Sequence, residues 1–170
     1  MFELLLMRHA KSDWTNQLAD IDRPLNSRGR KDALHMAAHL KELGITPHRM
    51  VVSSSVRTRE TASLLIKVFS VDTIDIHFEQ ALYLASRQTI CEIAENYAEE
   101  NKRLLVLAHN PGMDESVIFL ASERPTYTSI GKLMTTCAVA NFQLDSTEAL
   151  HKAGQGDLKQ LFRPKEIVSL

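Results

Sequence analysis

Arg8 and His9 follow directly on a short apolar stretch, residues 2–7, and the same two residue types return far along the chain as Arg57 and His109. A neutral imidazole is a nucleophile through its unprotonated ring nitrogen. A guanidinium group donates two parallel hydrogen bonds to a phosphate. Phosphoryl transfer needs a nucleophile in line with the leaving group and positive charge around the equatorial oxygens. These four side chains therefore have the chemistry for phosphoryl transfer if the fold brings them together.

Each of these side chains has an expected part in such a reaction. His9 attacks phosphorus, the two arginines hold the phosphoryl oxygens, and His109 donates a proton or a hydrogen bond to a nonbridging oxygen. The neighbouring cations are expected to lower the pKa of His9, because like charge disfavours the imidazolium form. A backbone carbonyl near Ser12 or Asp13 is a candidate to fix the proton on the other ring nitrogen.

The candidate residues all follow segments that are predicted to be strands. Three short apolar runs flanked by polar residues are typical of strands buried on both faces of a parallel sheet; they are residues 2–7, 50–52 and 104–108. His9, the serine run 53–55 and His109 each come just after one of these runs. Because ligands of open α/β sheets bind at the carboxyl ends of the strands, the candidate residues are expected at one edge of the sheet.

Helical spacing of apolar residues predicts four helices between the strands. They are expected from residue 26 or 27 to 43, from about 56 to 68, from 88 to 99 and from about 113 to 121. A further strand is predicted at 73–78. The last third is less regular, with a strand-like stretch at 133–144, a turn-rich connection at 150–157 and an edge strand at 158–162.

Strands that alternate with helices indicate an α/β fold. We expect a three-layer sandwich with a mostly parallel central sheet and helices on both faces. The chain has 170 residues, the usual size of one domain, and it contains no internal repeat and no linker-like tract. A single domain spanning residues 1–170 is therefore predicted.

The charge balance argues against partners that need a strongly basic surface. The chain has 20 Lys and Arg against 21 Asp and Glu, so neither nucleic acid nor a membrane surface is an expected partner. Cys91 and Cys137 fit no metal or redox motif, so we interpret them as reduced, buried side chains of a cytoplasmic protein. The first apolar run is too short for a secretory or transmembrane segment, and residue 1 is expected to begin the folded domain.

Three segments, in order, resemble motifs of the histidine phosphatase superfamily, also called the phosphoglycerate mutase-like family. The opening motif Arg-His-Gly-x-Ser-x-Trp is similar to residues 8–14, with Ala10 in place of glycine. The motif Ser-Ser-x-x-x-Arg-x-x-x-Thr-Ala resembles the segment from Ser54 to Ala62, which contains Arg57. The motif Gly-His-Asn-Pro-Gly resembles residues 108–112. Within the superfamily, residues 22–25, 27–29 and 82–86 resemble the SixA-type phosphohistidine phosphatases.

This resemblance implies a phosphatase that hydrolyses phosphohistidine on a partner protein, such as a histidine-phosphotransfer domain in signal transduction. The intermediate would be phosphohistidine at His9, and neither a metal nor an organic cofactor is implied. The open alternatives are a small-molecule phosphomonoesterase and a phosphohistidine-binding scaffold of low activity.

The resemblance also implies site residues beyond the first four. Ser12, by its place in the opening motif, is expected to add a hydroxyl donor to the phosphate site. Many members of the superfamily have an acidic residue near the pocket, and the candidates for this general acid are Glu79, Asp13 and Asp22. A phosphorus–nitrogen bond to a protonated imidazole needs less help from an acid than an alkyl ester does.

His35 and His39 lie one helical turn apart, a spacing that can bind a metal. The segment lacks the glutamate of His-Glu-x-x-His, and no third ligand is evident. A partly exposed helix face is therefore the favoured interpretation, and no metal site is predicted.

Overall fold

The computed structural model describes residues 1–70 and 73–167. Within them the strands are β1 (Phe2–Arg8), β2 (Arg49–Ser53), β3 (Asp75–Glu79), β4 (Arg103–Ala108), β5 (Val139–Leu144) and β6 (Asp157–Phe162). The α-helices are α1 (Ser27–Glu42), α2 (Val56–Phe69), α3 (Arg87–Tyr97) and α4 (Gly112–Leu120). Short 3-10 helices cover Asp20–Asp22, Gln80–Leu82 and Thr147–His151.

The six strands form one sheet in the order β3-β2-β4-β1-β5-β6. The first four in this order are parallel, while β5 runs antiparallel to β1 and β6 antiparallel to β5. The sheet is therefore mixed and mostly parallel, which confirms the predicted fold class. The order also makes β2, β4 and β1 direct neighbours, so their carboxyl ends lie side by side.

Two apolar clusters form the core, one on each face of the sheet. Alternate residues of β1 belong to different clusters, because successive side chains of a strand point to opposite faces of the sheet. Leu5 belongs to one cluster with Ala37 of α1 and Leu65 of α2, while Leu6 belongs to the other with Ile90 of α3 and Val117 of α4. Two helices thus cover each face, and the three-layer sandwich is confirmed.

Polar side chains fix where three of the helices begin. Asn26, Ser55 and Ser86 each accept a hydrogen bond from the backbone N–H three residues later, and so cap α1, α2 and α3. The cap at Ser55 sets the start of α2 immediately after β2. Residues in the first turn of α2 are therefore held at the carboxyl edge of the sheet.

The observed boundaries differ from the expected ones mainly in the last third. The strand expected at 133–144 begins only at Val139, because Cys137 adopts a left-handed backbone conformation with φ of 66°. The helix expected to reach residue 99 ends at Tyr97, and Glu99 instead pairs with Arg49 at 2.6 Å. No helix in the described part of the chain is long and apolar enough to cross a membrane.

Candidate active site

The carboxyl ends of three neighbouring strands bring Ser53, His109 and His9 together. Ser53 is the last residue of β2, His109 follows β4, and His9 follows β1. The backbone N–H of His9 donates to the carbonyl of Ala108 at 3.2 Å, and the ring centroids of the two histidines are 5.2 Å apart. The sheet order therefore explains how residues 53, 109 and 9 meet.

His9 is held as one tautomer by its two hydrogen bonds. Its Nδ1 lies 2.7 Å from the carbonyl oxygen of Ala10, and because a carbonyl only accepts, Nδ1 carries the proton. Arg57 donates from Nε to Nε2 of His9 at 3.3 Å, so Nε2 holds the lone pair. The acceptor is the carbonyl of Ala10 and not one near Ser12 or Asp13, because the ring reaches the next peptide group directly. The unprotonated nitrogen of His9 is thus hydrogen-bonded to a guanidinium group.

Arg57, in the first turn of α2, bridges the two histidines. Its side chain is almost fully buried, and its Nη2 lies 3.3 Å from Nδ1 of His109. Since the guanidinium only donates, Nδ1 of His109 accepts, and Nε2 of His109 donates to the hydroxyl of Ser53 at 2.7 Å. Arg57 also donates from Nη1 to the backbone carbonyl of Asp20 at 2.6 Å. These bonds fix the orientation of both rings.

Both histidines are neutral near pH 7. Burial, opposed by the hydrogen bond to the Ala10 carbonyl and reinforced by the charge of Arg57, lowers the pKa of His9 to about 3. Burial and the charge of Arg57 likewise lower the pKa of His109 to about 4. The lowered pKa of His9 agrees in direction with the expectation from the sequence, but burial contributes more to it than the neighbouring cations do.

Arg8 and Arg23 bring unpaired hydrogen-bond donors to the site that contains the two histidines. Nε of Arg8, and Nε and Nη1 of Arg23, are buried and have no hydrogen-bond partner among the described residues. Leaving a buried donor unpaired costs about 1–3 kcal/mol, and more for a charged group. An oxyanion with several lone pairs would satisfy these nitrogens. Arg8 is held in place by a hydrogen bond from Nη1 to the carbonyl of Met134 at 2.9 Å.

A cleft of about 220 Å³ opens onto these groups and is called the catalytic cleft below. Its lining residues are Arg8, His9, Lys11, Ser12, Trp14, Asp20, Arg23, Arg57, Leu84, His109, Asn110 and Thr136. Ser12 is buried and belongs to this lining, and its role as a phosphate donor stays a prediction. Asn110 accepts from the backbone N–H of Asp114, in the first turn of α4, at 3.2 Å.

The carboxylate in the cleft is Asp20, which the sequence reasoning missed. It accepts from Nη2 of Arg57 at 3.0 Å and also from Arg23 and Tyr83. Partial burial by itself raises the pKa of Asp20, but the hydrogen bonds from Tyr83 and Arg57 outweigh it and lower the pKa to about 2. Asp20 is therefore ionised at neutral pH and is poorly suited to donate a proton.

None of the three carboxyl groups proposed from the sequence as general acid lines the catalytic cleft. Glu79 accepts a hydrogen bond from the hydroxyl of Tyr97. Asp13 accepts from the backbone N–H of Thr15 at 2.8 Å and turns toward solvent. Asp22 ends an exposed 3-10 helix. The hydrogen bonds to Tyr97 and Thr15 hold Glu79 and Asp13 away from the cleft.

Close packing fixes the loop that carries the first motif. The hydroxyl of Thr61 accepts from the backbone N–H of Ala10 at 3.2 Å and donates to the carbonyl of Arg57 at 2.7 Å. A Cβ atom on Gly29 would lie 2.1 Å from the carbonyl oxygen of Lys11, so only glycine lets α1 approach this loop. Thr61 thus ties the loop after β1 to the helix that presents Arg57.

The rim of the cleft carries exposed apolar side chains. Trp14 is 71% exposed and stacks over the guanidinium of Arg23, whose carbon lies 3.5 Å from the ring centroid. Leu84 is 55% exposed on the rim. The sequence indicated this apolar rim only through Trp14, which belongs to the opening motif.

His35 and His39 do not form a metal site in the described structure. Nε2 of His35 lies 3.4 Å from the carbonyl of Ile167, and His39 packs edge-on against Phe162. Within residues 1–70 and 73–167, no group of three or more His, Cys, Asp or Glu side chains is arranged to hold a metal ion.

The cleft can bind an oxyanion and offer it a neutral nucleophile. Three arginines surround the space beside Nε2 of His9, and two of them have free buried N–H groups. A phosphoryl group held there would have positive charge on its oxygens and an imidazole lone pair facing phosphorus.

The chain belongs to the histidine phosphatase superfamily, branch 1, whose family model matches residues 4–106. This region contains Arg8, His9 and Arg57 but ends before His109. The place of His109 in the site therefore rests on the geometry described above.

Among relatives of this chain is an uncharacterized chloroplastic protein of Arabidopsis thaliana, 31% identical over 127 residues. The match covers 69% of this chain and 58% of the length of that relative. An uncharacterized protein of Mycobacterium tuberculosis is 29% identical over 126 residues, with 74% of this chain and 77% of the relative covered.

Solved structures of low sequence identity have the same fold. The protein histidine phosphatase SixA complexed with tungstate superposes with a TM-score of 0.78 at 22% identity, covering 96% of this chain and 97% of that chain. A phosphoserine phosphatase of Entamoeba histolytica has a TM-score of 0.67 at 14% identity, covering 99% of this chain and 100% of its own. At these identities the likeness establishes the fold.

Proposed function

We propose that this protein is a phosphatase that removes the phosphoryl group from phosphohistidine on a partner protein, through a phosphohistidine intermediate at His9. The observation that carries the proposal is the orientation of His9. Its Nε2 is unprotonated and accepts from Arg57 within the lining of the cleft, while the proton on Nδ1 is held by the Ala10 carbonyl. A neutral, oriented imidazole among guanidinium groups is the arrangement that nucleophilic attack on a phosphoryl group requires.

In the first step the Nε–H of Arg57 passes from Nε2 of His9 to a phosphoryl oxygen. A bond then forms between Nε2 of His9 and phosphorus while the bond from phosphorus to the substrate nitrogen breaks. The substrate ring leaves as a neutral imidazole that keeps the proton on its other nitrogen. The ring of His9 acquires positive charge, and its Nδ1 proton remains hydrogen-bonded to the Ala10 carbonyl. Arg8, Arg57 and Arg23 stabilise the charge on the equatorial oxygens.

In the second step water attacks phosphorus on phosphorylated His9. The phosphorus–nitrogen bond breaks, the electron pair returns to Nε2, and inorganic phosphate leaves with the protons of the water. When the anion binds, Nδ1 of His109 takes up a proton from solvent, gives up its hydrogen bond from Arg57 and donates to a nonbridging oxygen. The negative charge of a phosphoryl group favours that uptake.

The chemistry of the cleft favours a phosphohistidine substrate over an alkyl phosphate ester. An alkoxide leaving group needs a proton, and Asp20, whose pKa is about 2, is ionised. An imidazole that already carries a proton on its second nitrogen leaves without this help. The reaction proposed here therefore requires no general acid among Glu79, Asp13 and Asp22.

The rim of the cleft favours a protein as the carrier of the phosphohistidine. Trp14 and Leu84 present exposed apolar surface beside the catalytic cleft, and such surface is typical of contacts with other proteins. The likeness to the protein histidine phosphatase SixA supports the same substrate class. Signal transduction and a cytoplasmic location are part of the proposal, and the two free, buried cysteines are compatible with a reducing compartment.

The substrate class is tested by comparing phosphate release from a phosphohistidine-bearing phosphotransfer protein and from phosphoserine. We expect a much larger kcat/KM on the phosphohistidine protein, and no release from it by the His9→Ala variant. Release only from phosphoserine would instead support a small-molecule phosphomonoesterase. Binding of the phosphoprotein without release would support a scaffold of low activity.

The neutral state of His9 predicts an unusual pH dependence. Because the folded-state pKa is about 3, His9 stays unprotonated as the pH falls from 8 to 5. For a histidine with an ordinary pKa of about 6.5, the neutral fraction would fall about thirtyfold between pH 8 and pH 5. We expect the imidazole ¹⁵N resonances of His9 to keep the neutral pattern down to pH 5. A titration of His9 with a midpoint between pH 6 and 7 would contradict the described burial.

A further inference from the structure

A second depression, called the basic groove below, opens beside the catalytic cleft. Its volume is about 510 Å³, and Lys11, Arg28, Lys132 and Lys165 contribute to its lining. Arg8, Lys11 and Thr136 line both the groove and the catalytic cleft. A molecule bound with its phosphoryl group at His9 therefore has a direct path into the groove.

The groove has one sign of charge, although the whole chain is nearly neutral. Six Lys and Arg residues line it against the single acid Glu166, while the formal net charge of the chain is −1. Glu166 is already paired with Arg163 at 2.9 Å. Lys11, Lys132 and Lys165 form no salt bridge with any described residue. The groove therefore attracts anions.

The positions of the cations fit an extended acidic segment better than one small anion. Arg163 is buried, and its nitrogens donate to the carbonyls of Leu133 and Thr126 and to Glu166. Arg28 pairs with Asp32 at 3.5 Å, and Arg8 is assigned to the catalytic cleft. The remaining cations of the groove are lysines from three separate segments, after β1, before β5 and after β6. Lysine is a mobile point charge, so lysines spread along a groove suit several carboxylates rather than one fixed phosphate.

The groove also offers one apolar contact. Ile130 is 75% exposed and contributes to its lining together with Pro164. A peptide segment with an aliphatic residue among its acids would use both features. Apolar contact with surrounding charge complementarity is the usual composition of a protein recognition site.

We propose that the basic groove binds an acidic segment of the protein that carries the phosphohistidine, and so selects among phosphohistidine proteins. This inference rests on the function proposed above and adds a specificity determinant outside the catalytic cleft. Electrostatic complementarity of this kind raises association rates and discriminates between partners.

The test uses two fluorescent peptides, each with one phosphohistidine, flanked by glutamates in the first and by glutamines in the second. Binding is measured by fluorescence anisotropy, and phosphate release is measured in parallel. We expect the protein to bind the acidic peptide on the order of tenfold more tightly at low salt. In about 1 M salt, where the Debye length is about 3 Å, the preference should disappear.

The decisive variant is Lys132→Glu/Lys165→Glu, which reverses two charges of the groove and leaves Lys11, a residue of the cleft, unchanged. It should lose the preference for the acidic peptide and keep its activity on a small phosphoramidate. The matched control is Lys67→Glu/Lys152→Glu, which makes the same change of net charge. Lys67 lies in the last turn of α2 and Lys152 follows β5, so both lie toward the opposite edge of the sheet.

Each outcome decides between the proposals. Equal affinity of the unaltered protein for the two peptides, or a preference that survives the groove variant, would overturn the groove proposal. So would binding of pyrophosphate that depends on Lys132 and Lys165 while the peptide flanks have no effect. A retained acidic preference in binding, with no release of phosphate from either peptide, would reject the proposed function and leave the groove proposal standing.

Discussion

Replacing His9 by alanine is expected to reduce phosphate release from a phosphohistidine protein on the order of a millionfold, as removal of the nucleophile does in other covalent catalysts. The reason is structural. The variant removes Nε2, the nitrogen that lies beside Arg57 in the catalytic cleft and is proposed to attack phosphorus. Single-turnover phosphate release measures this effect over the required range.

The matched control for this variant is His151→Ala. His151 is exposed and pairs with Glu95 at 2.8 Å, away from the residues that line the catalytic cleft. It should keep the activity of the unaltered protein. If His9→Ala retained more than a small fraction of that activity while folding normally, another residue would be the nucleophile.

Replacing Arg57 by alanine is expected to lower kcat/KM on the order of a hundred- to a thousandfold, the usual effect of removing one preorganised donor. Arg57 contacts both His9 and His109, so its loss removes charge stabilisation and also frees both rings. Arg57→Lys should recover little of this activity, because an ammonium group cannot reach both rings and the backbone carbonyl of Asp20 at once. The Arg8→Ala variant is expected to show a loss of kcat/KM in the same range.

Arg59→Ala is the control for the effect of Arg57. Arg59 lies on the same helix, but its side chain is exposed, donates to the carbonyl of Ser54 at 3.1 Å and stacks over Phe78. It should have little effect on kcat/KM. Comparable losses in Arg57→Ala and Arg59→Ala would indicate disruption of α2 rather than loss of a cleft donor.

The meeting of His9, Arg57 and His109 could be predicted from the sequence for a simple physical reason. Each follows a strand of a parallel sheet, and the carboxyl ends of parallel strands lie at one edge. The hydrophobic runs located those strands, and the polar residues after them located the site. The helix caps, such as Ser55, fixed the remaining distance between β2 and Arg57.

Asp20 and Arg23 could not be placed in this way. The segment between β1 and α1 has no hydrophobic period, and its conformation depends on contacts with distant residues such as Arg57 and Tyr83. A sequence does not show which of several acids such a segment turns inward. For the same reason the sequence does not indicate that Asp20, rather than Asp13 or Asp22, lies in the catalytic cleft.

The last third shows a related limit. A strand-like composition over 133–144 does not show that residues 133–138 fold as a turn-containing segment. The carbonyl of Met134 in this segment accepts from the side chains of Arg8 and Asn110. These bonds hold the segment against the catalytic cleft, and they are tertiary contacts that no local pattern in the sequence predicts.

The central claim, a phosphoryl group carried on Nε2 of His9, is tested most directly by trapping the phosphoenzyme. The protein is mixed with a phosphohistidine substrate and quenched in alkali within one turnover, and the adduct is located by mass spectrometry and ³¹P NMR. We predict an acid-labile, base-stable phosphoryl group on Nε2 of His9 that is absent from the His9→Ala variant. An acid-stable phosphate on Ser12 or another serine, or an adduct on Nδ1 of His9, would contradict the proposed mechanism.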